Sequence, residues 1–124
     1  MINLFAIALG GAFGALGRYA SSQWLYSVLG RSFPYGTLLV NVAGSLVMGI
    51  LAVLLIERVV AGPELRAFLM IGFLGSFTTF STFSLETINL ISSGEMIKAG
   101  VNMLLSVFVS VTACWMGMLL ARQL

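Results

Sequence analysis

Charge is what this chain has least of. Six basic and four acidic side chains stand among 124 residues, so 8% of the chain is charged while 60% is hydrophobic, against roughly 25% charged in a typical soluble domain. So few ions cannot coat a water-soluble domain of this length; the outside must meet lipid. Histidine is absent and Cys114 is the single cysteine, which excludes a disulfide framework and Cys/His metal sites. A net charge of +2 is too small and too scattered for a nucleic-acid footprint. No nucleophile–base set and no metal-ligand cluster is visible, so an enzyme reading has nothing to rest on. The N-terminus lacks a basic region before its apolar run and a distinct small-residue cleavage site, and so reads as a first membrane helix, not a signal peptide.

What is present falls into four apolar stretches. Ile2 to about Leu29 holds only Arg18 as a charge; Gly36 to Ile56 holds none; Leu65 to Ile91 holds Arg66 at its start and Glu86 near its end; Met96 to Leu120 holds Lys98. About 20 residues cross ~30 Å of hydrocarbon, so each stretch is long enough. The expected fold is an all-α membrane protein, one four-helix transmembrane domain over residues 1–124. The connections are short: Gly30 to Tyr35 with Pro34 as a breaker, Glu57 to Glu64, and Ser92 to Glu95. In the last, Ser92 or Ser93 is placed to cap the fourth helix. Tyr19, Trp24, Tyr26, Tyr35 and Trp115 are mostly near span ends, as interfacial anchors are.

Four crossings put both termini on one side, with Arg58, Arg66 and Arg122. The other side takes Arg31, Lys98 and, if it snorkels, Arg18. Nearly equal counts leave the positive-inside rule without a preference. Either the chain has too few charges to count, or copies insert both ways and pair antiparallel. Small-residue stripes support close packing: Gly10, Gly14 and Gly17 in the first span, Gly44, Ser45 and Gly49 in the second.

The polar residues concentrate at bilayer depth. From Ser76 to Ser84, six of nine residues carry a hydroxyl and the other three are phenylalanine. Serine and threonine bond back onto helix carbonyls, and glycines upstream lower helix propensity; the third helix is expected to break near Gly75 to Thr79. Irregular backbone at that depth survives only inside protein or along a wet cavity, and broken helices often mark ion sites. The alternative is a kinked, well-packed helix. Phe80 and Phe83 share a face if the helix resumes, and a phenyl edge is electropositive, so two edges suit an anion; they also suit plain packing. Asn102, Ser106, Ser110 and Cys114 recur every four residues on the fourth span, a row of small donors along an ion's path or a set of interhelical bonds. Asn41 can donate twice from its amide, to an ion or to another helix. Arg18 and Glu86 are the deepest charges, and a charge at that depth usually faces a cavity or a partner.

Gly75 to Glu86, GSFTTFSTFSLE, resembles the GGLTTFSTFSxE signature of the Fluc (CrcB) fluoride channels, and Tyr35 to Asn41 resembles that family's PxGTLxVN segment. With the Gly-rich first helix ending in Arg18, the likeness spans essentially the whole chain. It implies an antiparallel, dual-topology homodimer with two fluoride pathways in a bacterial inner membrane. It further implies a central sodium ion held by the main-chain oxygens of Gly75 and Thr78 from both copies. Phe80 and Phe83 would be the ring-edge residues, Asn41 a pathway donor, Arg18 a vestibule charge, and Asn102, Ser106, Ser110 and Thr82 the polar track. Two departures stand out: Ser76 replaces a usual glycine, and Asn102 and Cys114 fall where some members have tyrosine and threonine. The implied activity is passive fluoride export down its gradient, lowering cytoplasmic toxicity. The rival is a small dual-topology multidrug exporter, which needs a membrane-embedded carboxylate, typically in its first helix; here that helix has none.

Overall fold

A computed structural model describes residues 1–58 and 62–124. Among them every regular element is helical: α1 (Ile2–Leu29), α2 (Tyr35–Leu51) running on into a π-helical stretch (Ala52–Glu57), α3 (Pro63–Arg66) running on into a second π-helical stretch (Ala67–Leu74), α4 (Gly75–Phe77), α5 (Phe80–Ser92) and α6 (Met96–Arg122). They join into four helical spans long and apolar enough to cross a membrane: Ile2–Leu29, Tyr35–Glu57, Pro63–Ser92 and Met96–Arg122. The middle of the predicted Glu57-to-Glu64 connection, 59–61, lies outside the described residues.

Local chemistry sets the ends. Gly30 closes α1 at φ 84°, a left-handed conformation that glycine adopts without penalty, and its N–H returns to the Tyr26 carbonyl. Pro34 precedes α2, and Pro63 opens α3 at a position where its missing N–H costs nothing. The turn after α5 departs from the expectation. Neither Ser92 nor Ser93 caps α6; Ser93 ends α5, its hydroxyl donating back to Asn89 O at 2.9 Å. The residue before α6 is Glu95, with no side-chain capping bond. Gly94 at φ 80° reverses the chain between the two helices.

The first and third spans pack together, and the second packs on the fourth. Both contacts are backbone-to-backbone. A Cβ on Gly10 would overlap the Phe68 carbonyl oxygen, and one on Gly14 that of Phe73. The two glycines are one α-turn apart, the two carbonyls one π-turn (i to i+5) apart, so the wider π-helical stretch presents its oxygens in step with the glycines. On the other pair, a Cβ on Gly49 would overlap Cys114 O and one on Gly117 would overlap Leu46 O. Small residues let helices approach this closely in lipid, where dispersion and polar contacts replace the hydrophobic effect as the driving force.

The fully buried interior is thin, with Val40, Val53 and Asn102 its largest members. Large apolar side chains such as Leu16, Phe108 and Val111 lie about two-thirds exposed, at 67%, 65% and 66%. A surface this apolar cannot face water. Charges collect at the ends: Arg122 pairs with Glu57 at 2.8 Å and Arg58 donates to Arg122 O, while Lys98 reaches Glu95 and Ser32 O at the other end.

Candidate functional site

The third span carries the most irregular backbone. Thr78 (φ −87°, ψ 159°) and Thr79 (φ −153°, ψ 124°) are extended between α4 and α5. Side chains from three directions satisfy the groups exposed there. Asn41 clamps Thr79 from the second span, its Nδ2 donating to Thr79 O at 2.9 Å while Thr79 N donates to its Oδ1 at 2.7 Å. Arg18 reaches in from the first span, its Nε donating to Ser76 O at 3.0 Å. A cation on the last carbonyls of a helix suits the negative end of its dipole. Arg18 therefore turns toward protein and does not snorkel outward. Thr79 also caps α5, its Oγ1 accepting the Thr82 N–H at 3.2 Å, the usual arrangement for a threonine ahead of a helix.

These bonds leave carbonyls at the break without their helical donors, Gly75 O and Thr78 O among them. In a regular α-helix the Gly75 oxygen accepts from the Thr79 N–H and the Thr78 oxygen from the Thr82 N–H. Here the Thr79 N–H goes to Asn41 and the Thr82 N–H to Thr79 Oγ1. Gly75 O and Thr78 O thus lose their i+4 donors. They are the two oxygens that the family resemblance assigns to sodium, and an oxygen donor set of this kind suits a hard cation.

Beside this segment a groove of about 370 Å³ opens between the second, third and fourth spans. Asn41, Gly44, Ser45, Met48, Thr78, Thr79, Phe80, Phe83, Ser106, Ser110 and Cys114 line it, with Val107 and Val111. The Phe80 and Phe83 ring centroids are 5.3 Å apart, tilted by 50°. Phe80 is 75% exposed and Phe83 only 8%, so one ring hangs at the groove's open side and the other forms its wall. Ser110 Oγ is buried with no hydrogen-bond partner among the described residues, an arrangement that leaves a donor available.

Of the residues singled out by sequence, the groove gathers Asn41, Thr78, Phe80, Phe83, Ser106, Ser110 and Cys114. Thr82, Asn102, Arg18 and Gly75 stand outside its lining. Thr82 bonds Thr79, and Asn102 is 2% exposed and bonds Thr87 at 3.0 Å. The every-four-residue row on α6 therefore divides: Ser106, Ser110 and Cys114 face the groove, while Asn102 turns into the contact with α5. Because each four-residue step drifts about 40° round the helix, a row this long does not keep one face. Ser45, read from the sequence only as part of a packing stripe, and Met48 also line the groove. Both lie on the Asn41 face of α2, at i+4 and i+7, and that spacing was the signal for them. A second, smaller cavity of about 230 Å³ gathers Tyr26, Arg31, Pro34, Glu86 and Asn89. There the Tyr26 hydroxyl donates to Glu86 Oε2 at 2.9 Å.

Four apolar helical spans, three of which contribute hydroxyls and an amide to one open groove, define a multi-pass all-helical membrane protein. The chain belongs to the CrcB-like (camphor resistance, CrcB) family, whose model matches residues 5–118. It is 54% identical to a protein of Methylococcus capsulatus over 99% of this chain and 54% of that one. It is 48% identical to a Geobacter metallireducens protein over the whole of both, and 47% identical to a Coxiella burnetii protein over 99% of this chain and all of that one. The chain thus spans about half the Methylococcus relative and the full length of the other two. Each of the three bears the name fluoride-specific ion channel FluC.

Proposed function

We propose that this protein is a fluoride-selective channel that lets fluoride leave a bacterial cell passively, down its electrochemical gradient, through the inner membrane. The observation that carries the reading is the groove: Asn41, Phe80, Phe83, Ser106 and Ser110, drawn from three spans, converge on one strip at bilayer depth. Its donors are neutral. A small anion can exchange part of its water shell for hydroxyl and amide N–H groups and electropositive ring edges without the tight grip of a fixed cation. Relatives at 47–54% identity named as fluoride-specific channels support the same cargo. Thr82, Asn102 and Arg18 belong to this reading as supports of the path and its approach.

The chain acts as an antiparallel, dual-topology homodimer. The near-balance of charge between its two ends supports this, as does the exposed side of the groove at Phe80, which a second copy would close. The third span is read as a helix interrupted at Thr78–Thr79, and the extended dihedrals there support it. Sodium is the implied resident ion. Gly75 O and Thr78 O, relieved of their helical donors, would hold it, and bound there it would supply fixed positive charge. The multidrug-exporter alternative has no support in the first span, where no carboxylate exists.

The test is flux. Purified protein in liposomes should release fluoride and retain chloride, with release dependent on sodium. Equal release of both halides would end the fluoride reading. Undiminished fluoride release after exhaustive replacement of sodium by a bulky organic cation would remove sodium from it.

A further inference from the structure

Behind the groove lies a residue that no pathway assignment includes. Thr87, one turn beyond Phe83 on α5, is 5% exposed. Its hydroxyl donates to the Phe83 carbonyl at 2.8 Å. A carbonyl only accepts, so the single hydroxyl proton is committed. Asn102 Nδ2, 3.0 Å from Thr87 Oγ1, is then the donor of that pair. A flipped amide would bring two acceptors together at a buried site and leave both without a donor there, which is as unfavourable as an unmade bond. With Nδ2 fixed on Thr87, Asn102 Oδ1 turns toward Ser106, whose Oγ donates to it across 3.4 Å. Ser106 lines the groove, yet its proton is drawn back into the helix contact. Ser110, one turn further along, keeps its proton uncommitted.

We propose that Thr87 is a positioning residue that sets the direction of hydrogen-bond donation along the hydroxyl row: it orients the Asn102 amide, and the amide withholds the Ser106 proton from the groove. This rests on the groove being an anion path. An anion accepts only donors. A row with one free donor beside one held by a long, weak bond passes the ion from the first to the second without gripping it at both. Valine at position 87 keeps the shape and removes the hydroxyl. The buried Asn102 Nδ2 then lacks its acceptor, the amide turns and donates to Ser106, and the Ser106 proton swings into the groove. Two free donors one turn apart hold the ion, and passage slows.

The experiment compares the wild-type chain with Thr87→Val and Thr87→Ser, each reconstituted for fluoride efflux, with the Asn102 side-chain amide followed by 15N NMR in nanodiscs. Thr87→Ser restores the hydroxyl and should stay within about twofold of wild type, whereas Thr87→Val should slow efflux about fivefold or more, the scale of one lost hydrogen bond. The Asn102 amide resonances should move in Thr87→Val and stay in place in Thr87→Ser. Ser106→Ala added to Thr87→Val should recover efflux to the level of Ser106→Ala alone, since the surplus donor is gone; general damage to packing would not be relieved this way. Efflux unchanged in Thr87→Val, equal loss in Thr87→Ser, no recovery with Ser106→Ala, or an unmoved Asn102 resonance would each overturn the proposal. Absence of fluoride efflux in the wild type would instead sink the channel reading, and the Asn102 resonance would still decide whether Thr87 orients the amide.

Discussion

At the scale of single residues, the polar side chains around the extended segment divide between holding main chain and facing the groove. Asn41 gives one N–H and its oxygen to Thr79, so it is first a clamp on an extended segment and only with its remaining N–H a donor toward the groove. Asn41→Leu removes both bonds and strands two backbone groups, at about 1–3 kcal/mol each. It should lower the thermal midpoint in detergent and abolish fluoride efflux together. Phe80 differs, because most of its ring is free. Phe80→Ile should leave assembly on a sizing column unchanged while efflux falls about tenfold, equivalent to ~1.4 kcal/mol on the barrier; unchanged efflux would place Phe80 outside the path. The residue types and spacings that mark Asn41, Phe80, Ser106 and Ser110 were legible in the chain. That Asn102 turns away from its row, and that Thr87 stands behind it, was not, because a four-residue spacing on a 3.6-residue helix fixes neighbours and leaves open which neighbour faces which helix.

At the scale of elements, close backbone contact carries the packing. The Gly10 and Gly14 strip was readable as a small-residue motif, but its counterpart was not. The π-helical register of Ala67–Leu74 has no signal in a run of plain apolar residues, and it is visible only where the Phe68 and Phe73 carbonyls meet the two glycines. Gly14→Ala puts a methyl group into the Phe73 carbonyl, with backbone on both sides and no flexible side chain to yield. Overpacking of this kind costs about 1–3 kcal/mol, and the first and third spans should separate on milder heating, read as a lowered thermal midpoint. The Ser92–Glu95 turn shows the converse: Ser93, suited to capping α6, instead bonds back into α5, and the left-handed Gly94 separates it from the later helix.

At the scale of the whole molecule, charge decides orientation. Arg18, held by Ser76 O, drops out of the count at the membrane surface, and the remaining basic residues stand three against two. On the proposed dual topology, two lysines added after Leu124 should bias every copy one way, as the positive-inside rule requires. Efflux should then fall well below that of an equal mixture with a counterpart biased the opposite way. Full efflux from the single-orientation form would show that antiparallel pairing is not needed.

The solvent, the number of spans and the chemistry available at mid-depth follow from the chain's composition and order, since ten ionic groups among 124 residues leave lipid as the only compatible exterior and periodicity is a local property of the chain. Which carbonyls lose their helical donors, which hydroxyls keep a free proton and which amide is turned away emerge from the packed fold alone. Those outcomes depend on pairings such as Asn41 with Thr79 and Thr87 with Asn102, between different spans, and a hydrogen bond has a direction only once both of its partners are in place.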